Sequence, residues 1–176
     1  MMRHMNFWSG LAAVATLVLL GMVAAFIIMG PERIWNLFGP PDLGDITFES
    51  LQRRSTPNDA LACPTDLCSA NSDVVPPLFS VSASDLQLVF SKVIESEERV
   101  TKVAASAPDK TERYIQRSRL MGFPDTIVVR FLERPEGRST LALYSRSQLG
   151  RGDFGVNRAR IERWLEKLAR EAPISK

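Results

Sequence analysis

The longest hydrophobic pattern in the chain has no alternation. Residues 11–29, LAAVATLVLLGMVAAFIIM, are apolar or small throughout, and none of the nineteen is charged. A helix of that length rises about 28 Å, close to the thickness of a bilayer's hydrocarbon core. A helix in water needs a polar face, and this stretch has none. The pattern predicts a transmembrane anchor over residues 1–30, bracketed by Trp8 and Trp35 as interfacial aromatics bracket a span. Val23-Ala24-Ala25 would suit a signal peptidase, but Phe26-Ile27-Ile28-Met29 prolongs the apolar run and favours an uncleaved anchor. Arg3 lies before the span, and Arg33 after it is offset by Glu32. The positive-inside rule therefore places the N-terminus in the cytoplasm. The protein is expected in an inner membrane, single-pass, with its bulk on the periplasmic side.

Beyond the anchor the periodicity changes. Residues 31–52 hold Pro31, Gly39, Pro40, Pro41 and Gly44 and read as a linker, with Ile34, Trp35, Leu37 and Phe38 at the membrane surface. Residues 53–77, rich in Pro, Asn, Asp and Ser, read as an ordered loop without regular structure, followed by a short strand at 78–81. Ser82 with Asp85 three residues on suggests a helix start. Leu86, Val89, Phe90, Val93 and Ile94 then recur at helical spacing to residue 96. Strands are expected at 99–104 and 113–118, and a hairpin at 126–132 and 139–147 around the Pro and Gly of ERPEGR. Three glycines in GRGDFG turn the chain into a last helix with the stripe Ile161, Trp164, Leu165 and Leu168, ended by Pro173. The short links call for antiparallel pairing. The fold class is α+β: an N-terminal transmembrane helix, then a soluble domain over 53–176 with a mainly antiparallel sheet of four to five strands packed by two helices.

Alternation also assigns faces. Ile127, Val129 and Phe131 lie on one side of their strand, with Leu141 and Leu143 of the partner, and should form the core under the helices. Arg130, Tyr144 and Arg146 then share the opposite face, joined by Arg117, on what is normally a solvated sheet surface.

Charge adds a second pattern. Net charge is +2 over 176 residues, so no nucleic-acid partner is indicated. Yet residues 30–112 hold 7 basic against 13 acidic groups, and residues 113–176 hold 14 against 7. The asymmetry either steers an anionic partner or neutralises itself within the fold.

Candidate chemistry is sparse. The one histidine, His4, precedes the span, so Ser-His and Cys-His nucleophile pairs and histidine-ligated metal sites have no histidine in the domain. No metal and no cofactor is expected. Gly150-x-Gly152-x-x-Gly155 matches a dinucleotide fingerprint, but the 21 residues after Gly155 leave no room for a second parallel strand and its acidic ribose ligand. Asp59, Asp66, Asp125 and Asp153 remain for paired-carboxylate chemistry, with no spacing that makes any two converge. Cys63 and Cys68 flank a four-residue loop and are expected to form a disulfide in an oxidising compartment.

Several short motifs carry a resemblance. Pro57-Asn58-Asp59, Cys63-Pro64, Phe123-Pro124-Asp125-Thr126, Ser139-Thr140-Leu141, Tyr144-Ser145-Arg146-Ser147 and Gly155-Val156-Asn157-Arg158-Ala159-Arg160 occur in this order. Over about residues 53–170 the chain resembles the family called domain of unknown function 1499. It departs from the family's pattern in that Asp59–Ala62 separates Asn58 from Cys63. The resemblance implies a bacterial, often membrane-anchored protein, with plastid relatives and no established activity.

The expected site is the turn from the last strand into the last helix. Arg146, Asp153, Asn157, Arg158 and Arg160 gather there, with Arg130 and Tyr144 on the sheet behind. Helix N-termini attract anions, and arginine grips phosphate or carboxylate with two parallel bonds. Asp153 is the alternative occupant, as a helix cap neutralising the arginines internally. The leading function is a non-enzymatic envelope module tethered by lipid contact and binding an anionic headgroup, glycan or envelope protein. The alternatives are a histidine-free hydrolase or transferase using carboxylates, and a structural subunit of a membrane complex.

Overall fold

A computed structural model describes residues 7–175. Arg3 and His4 lie outside them. An apolar helix α1 (Phe7–Met29) leads through Gly30 into a short helix α2 (Pro31–Asn36). Then follow β1 (Asp59–Ala62), α3 (Ala83–Glu95), β2 (Val100–Ser106), β3 (Thr111–Arg117), β4 (Pro124–Arg134), β5 (Arg138–Ser147) and α4 (Val156–Glu171). Trp8–Met29 is long and apolar enough to cross a membrane, with a mean hydropathy of 2.7.

The five strands form one antiparallel sheet in the order β1-β5-β4-β3-β2. The helices α3 and α4 share one face. Phe90 sits at the centre of that layer, with ring centroids 5.4 Å from Phe131, 5.8 Å from Trp164 and 6.1 Å from Tyr114. Ile127, Val129, Leu141 and Leu143 come up from the sheet, and Leu86, Ile161 and Leu168 come down from the helices. Each helical stripe is buried as its spacing dictates. Ser82 caps α3, its hydroxyl accepting from the Asp85 amide at 3.1 Å.

Two expectations need correction. Residues 53–77 contain a regular element: Asp59–Ala62 pairs with β5 in the register Asp59↔Arg146 to Ala62↔Leu143. Its sequence DALA shows no strand signature. It is extended because β5 offers an unpaired edge and both faces at that edge are covered. Conversely, 78–81 forms no strand, and Phe79 makes isolated bridges to Ser139 and Ile174.

The second face of the sheet is covered over β1, β5 and β4. Phe48 and Leu51 lie over Leu61, Val128, Ala142 and Tyr144 in a second, smaller core. Residues 40–51 run across this face as a strap, although 31–52 reads as a linker in sequence. Leu43 donates to the Thr126 hydroxyl, and the Gln148 amide donates to the Gly39 and Pro40 carbonyls. The strap is acidic and the face beneath is basic. Arg113 pairs with Asp42 and Asp45, Arg130 with Glu49, and Arg117 with Glu32 just upstream. The sulfur atoms of Cys63 and Cys68 lie at disulfide distance, with Cα atoms 6.2 Å apart, and Cys63 belongs to this second core.

Candidate functional site

The turn from β5 into α4 folds as its glycines require. Gly150 and Gly155 take positive φ, which glycine adopts without a Cβ clash. Asp153 sits between them and caps α4: one carboxylate oxygen accepts from the Gly155 amide, and the other accepts from the Asn157 amide and side chain, all within 2.9 Å. The Asp153 carboxylate therefore occupies the place where an external anion would meet the helix N-terminus.

Behind the cap is a buried polar network built from motif residues far apart in sequence. Asn157 donates to Ser147 Oγ at 2.9 Å and to the Asn58 carbonyl at 3.2 Å, and accepts from Ser145 Oγ at 2.6 Å. Arg160 donates to Asp125 at 2.5 Å, to Ser145 Oγ and Asn157 Oδ1 at 2.7 Å each, and to Gln116. Asn58 donates to the Gly150 carbonyl at 2.7 Å and accepts from Arg54 and Thr56. Asn58, Ser145 and Asn157 are at most 2 % exposed. Burial of such groups is tolerable only because each has partners. Ser145 faces no base: it donates to an amide oxygen and receives from a guanidinium, which gives it no route to nucleophilic attack.

The expected arginine cluster divides. Arg146 lies on the strap face, where it donates to the Leu43 and Gly44 carbonyls, whereas Arg160 lies on the helix face. The period of two along β5 sends Ser145 and Arg146 to opposite sides. Arg158 points outward and pairs with Glu162 one turn on. Arg130 and Tyr144 share Arg146's face. Tyr144 donates to Asp59 at 2.5 Å, and Arg53 grips the same carboxylate through Nε and Nη2. Burial pushes the Asp59 carboxyl up, but the Arg53 and Tyr144 bonds outweigh it and hold the group below the usual carboxylate range. Burial and the Asp59 bond push the Tyr144 phenol well above its ordinary value. The internal neutraliser of Arg160 is Asp125, not Asp153.

Two concavities are relevant. A broad depression of about 780 Å³ lies between strap residues 45–49 and the Asp109–Thr111 end of the sheet, with the Arg130–Glu49 pair inside it. Its carboxylates are solvated, and a backbone bond followed by the Arg130 bond holds Glu49 low. A smaller cleft of about 320 Å³ lies directly above the buried network. Ser118 and Phe123 form one wall, Phe154 and Val156 the other, and Gly150, Gly152, Asp125 and Ser147 the floor. Arg151 lies within its glycine-rich floor turn and Arg119 follows Ser118, both exposed, with Arg119 3.9 Å from the Glu98 carboxylate. The cleft lies next to α2, because Phe123 stacks on Trp35 with centroids 4.5 Å apart. Among the described residues no group of three or more His, Cys, Asp and Glu is arranged to hold a metal ion.

Sequence reasoning missed the part played by Asn58 and Asp125 in this network and the apolar walls of the cleft. The signal for the two polar residues was present, since both lie in the motifs that carry the family resemblance. Phe154 gave no signal, because a lone aromatic between glycines belongs to no periodic pattern.

No curated protein and no solved structure matches the chain. A family model matches residues 51–168, which takes in all five strands, α3, most of α4 and every residue of the buried network. With more than half of its length covered, the chain belongs to the family described as protein of unknown function (DUF1499).

Proposed function

We propose that the protein is a non-enzymatic, membrane-anchored envelope module that binds an anionic amphiphile, such as a phospholipid or acylated glycan phosphate, in the cleft between β3–β4 and β5–α4. The observation that carries this reading is the cleft itself. Its apolar walls suit an acyl chain, the exposed Arg119 and Arg151 next to its lining residues in sequence suit a phosphate, and its Phe123 packs on Trp35 of α2, the short helix that follows the apolar one. The candidate carboxylates support binding over hydrolysis. Asp59 is held by Arg53, Asp66 by Arg134 and Asp125 by Arg160, and Asp153 is spent on backbone amides. A general acid needs a raised pKa, and the Arg53 and Tyr144 bonds hold Asp59 below the usual carboxylate range. The Cys63–Cys68 pair supports a domain on the oxidising side of the membrane.

The test uses the full chain in zwitterionic detergent, titrated with short-chain phosphatidylglycerol and with the matching phosphatidylcholine. Saturable, salt-sensitive binding of the anionic lipid is expected, weakened by Arg151→Ala and by Arg119→Ala. Equal affinity for both lipids, or none for either, overturns the reading.

A further inference from the structure

Polypeptide turns in water carry polar tips, and those at one end of this domain do not. The turn 118–123 carries Leu120 at its apex, 87 % exposed, and the turn 150–155 carries Phe154, fully exposed. Phe154 also adopts a positive φ of 54°, a conformation costly to a residue with a bulky side chain. Its ring forms one wall of the cleft but has no packing that would offset that cost. Leu37 and Phe38, 74 % and 65 % exposed, continue the same end from α2. Elsewhere in the domain the exposed large apolar residues, such as Val75, Leu88 and Ile174, stand singly, as is ordinary for a soluble surface.

What covers this end is indicated by what it is joined to. Phe26, in the last turn of α1, packs edge-on against Trp35, and Trp35 packs against Phe38 and Phe123. The Trp35 indole donates to the Met121 carbonyl at 2.6 Å, and Gly122 leaves only 3.1 Å between a would-be Cβ and Pro31. The turn with Leu120 is therefore held against the end of the apolar helix. If Phe26 is in the hydrocarbon, Trp35 is at the interface and the turn beside it is within a side chain's length of the headgroups. Arg33, Arg119 and Arg151 are exposed at the same end, as suits a surface that meets lipid phosphates.

We propose that this end of the domain docks flat on the leaflet in which its own anchor ends, with Leu37, Phe38, Leu120 and Phe154 inserted into the headgroup–acyl boundary. The inference rests on α1 as a membrane anchor, and it is independent of any ligand in the cleft. Docking turns the open side of the cleft toward the bilayer. The strained, exposed Phe154 is then stabilised by burial in lipid rather than by the protein.

The experiment places an environment-sensitive fluorophore on single added cysteines, Leu120→Cys, Phe154→Cys and, as a control on a distant helix surface, Leu88→Cys, in the full chain reconstituted in phosphatidylcholine nanodiscs. The native Cys63 and Cys68 stay paired. Labels at 120 and 154 are expected to be blue-shifted, quenched by lipid carrying a shallow nitroxide and shielded from aqueous iodide, at a depth of about 5–10 Å. The label at 88 should behave in the opposite way. Iodide quenching at 120 and 154 equal to that at 88 overturns docking. Shielding from both quenchers also overturns it and assigns the surface to a protein, either a second copy or another partner. Because no anionic lipid is present, docking can succeed while the proposed lipid binding fails, and the reverse.

Discussion

At Arg160, one side chain determines whether a buried carboxylate is tolerable. The Arg160–Asp125 pair is 4 % and 8 % exposed, and Arg160 also holds Ser145 and Asn157 in place. Removing one partner of a buried pair leaves an uncompensated charge, at about 3–5 kcal/mol. Arg160→Leu is expected to lose that much in denaturant unfolding. The double variant with Asp125→Leu should lose clearly less than the two single losses added, because neither charge is then stranded. Glu97 offers a second residue-scale test. Burial pushes its carboxyl up, but bonds from Arg163 and Lys167 on α4 outweigh this and bring it to about 2. A folded value below the unfolded one means the contribution is present above about pH 4.5 and is lost as pH falls toward 2. The thermal midpoint of the protein should exceed that of Glu97→Gln at pH 7, and the gap should shrink steadily between pH 4.5 and 2. A gap that persists at pH 2 would show that packing, not charge, separates the two proteins.

Among the elements, the strap over 40–51 most changes how the protein is understood. The acidic excess of residues 30–112 and the basic excess after 113 are partly spent on each other across the second sheet face, through Arg113, Arg117 and Arg130. Most of these pairs keep one partner half in water, so each contributes little, and the apolar contact of Phe48 and Leu51 carries the binding of the strap. Phe48→Ala should therefore cost about 3–5 kcal/mol, whereas Glu49→Gln should cost under about 1 kcal/mol. Comparable losses for both would reverse that ranking. The capped start of α3 is a smaller lever: Ser82→Ala should cost about 1 kcal/mol.

For the whole molecule, the end of the domain beside the apolar helix carries exposed apolar residues and arginines, while the strap's acids pair with arginines of the second sheet face. The disulfide closes a short loop beside the strap core. The loop-entropy argument assigns such a ring roughly 2 kcal/mol. Reduction of the full protein, or Cys63→Ser with Cys68→Ser, should lower stability by about that amount without releasing the helix layer, whose contacts lie on the other face of the sheet. Loss of all cooperative unfolding in the reduced protein would place the bridge at the centre of the fold instead.

What local pattern alone could determine, it did. The charge-free apolar run, the capped and striped helices, the hairpin and the face on which Arg130, Tyr144 and Arg146 stand together all follow from periods of 3.6 and 2 and from turn chemistry within a few residues. The tertiary structure decided whatever depends on partners distant in sequence. The strand character of DALA comes from an open edge of β5, more than eighty residues later. The covering of the basic face comes from a proline-rich segment that no periodicity marks. The separation of Arg146 from Arg160 depends on which side of the sheet receives α4, and the pairing of Arg160 with Asp125 on how β4 and α4 are brought together. The site is where the two kinds of information meet. Its residues were visible as motifs, but whether they face a ligand or one another is set by burial, and burial belongs to the folded chain as a whole.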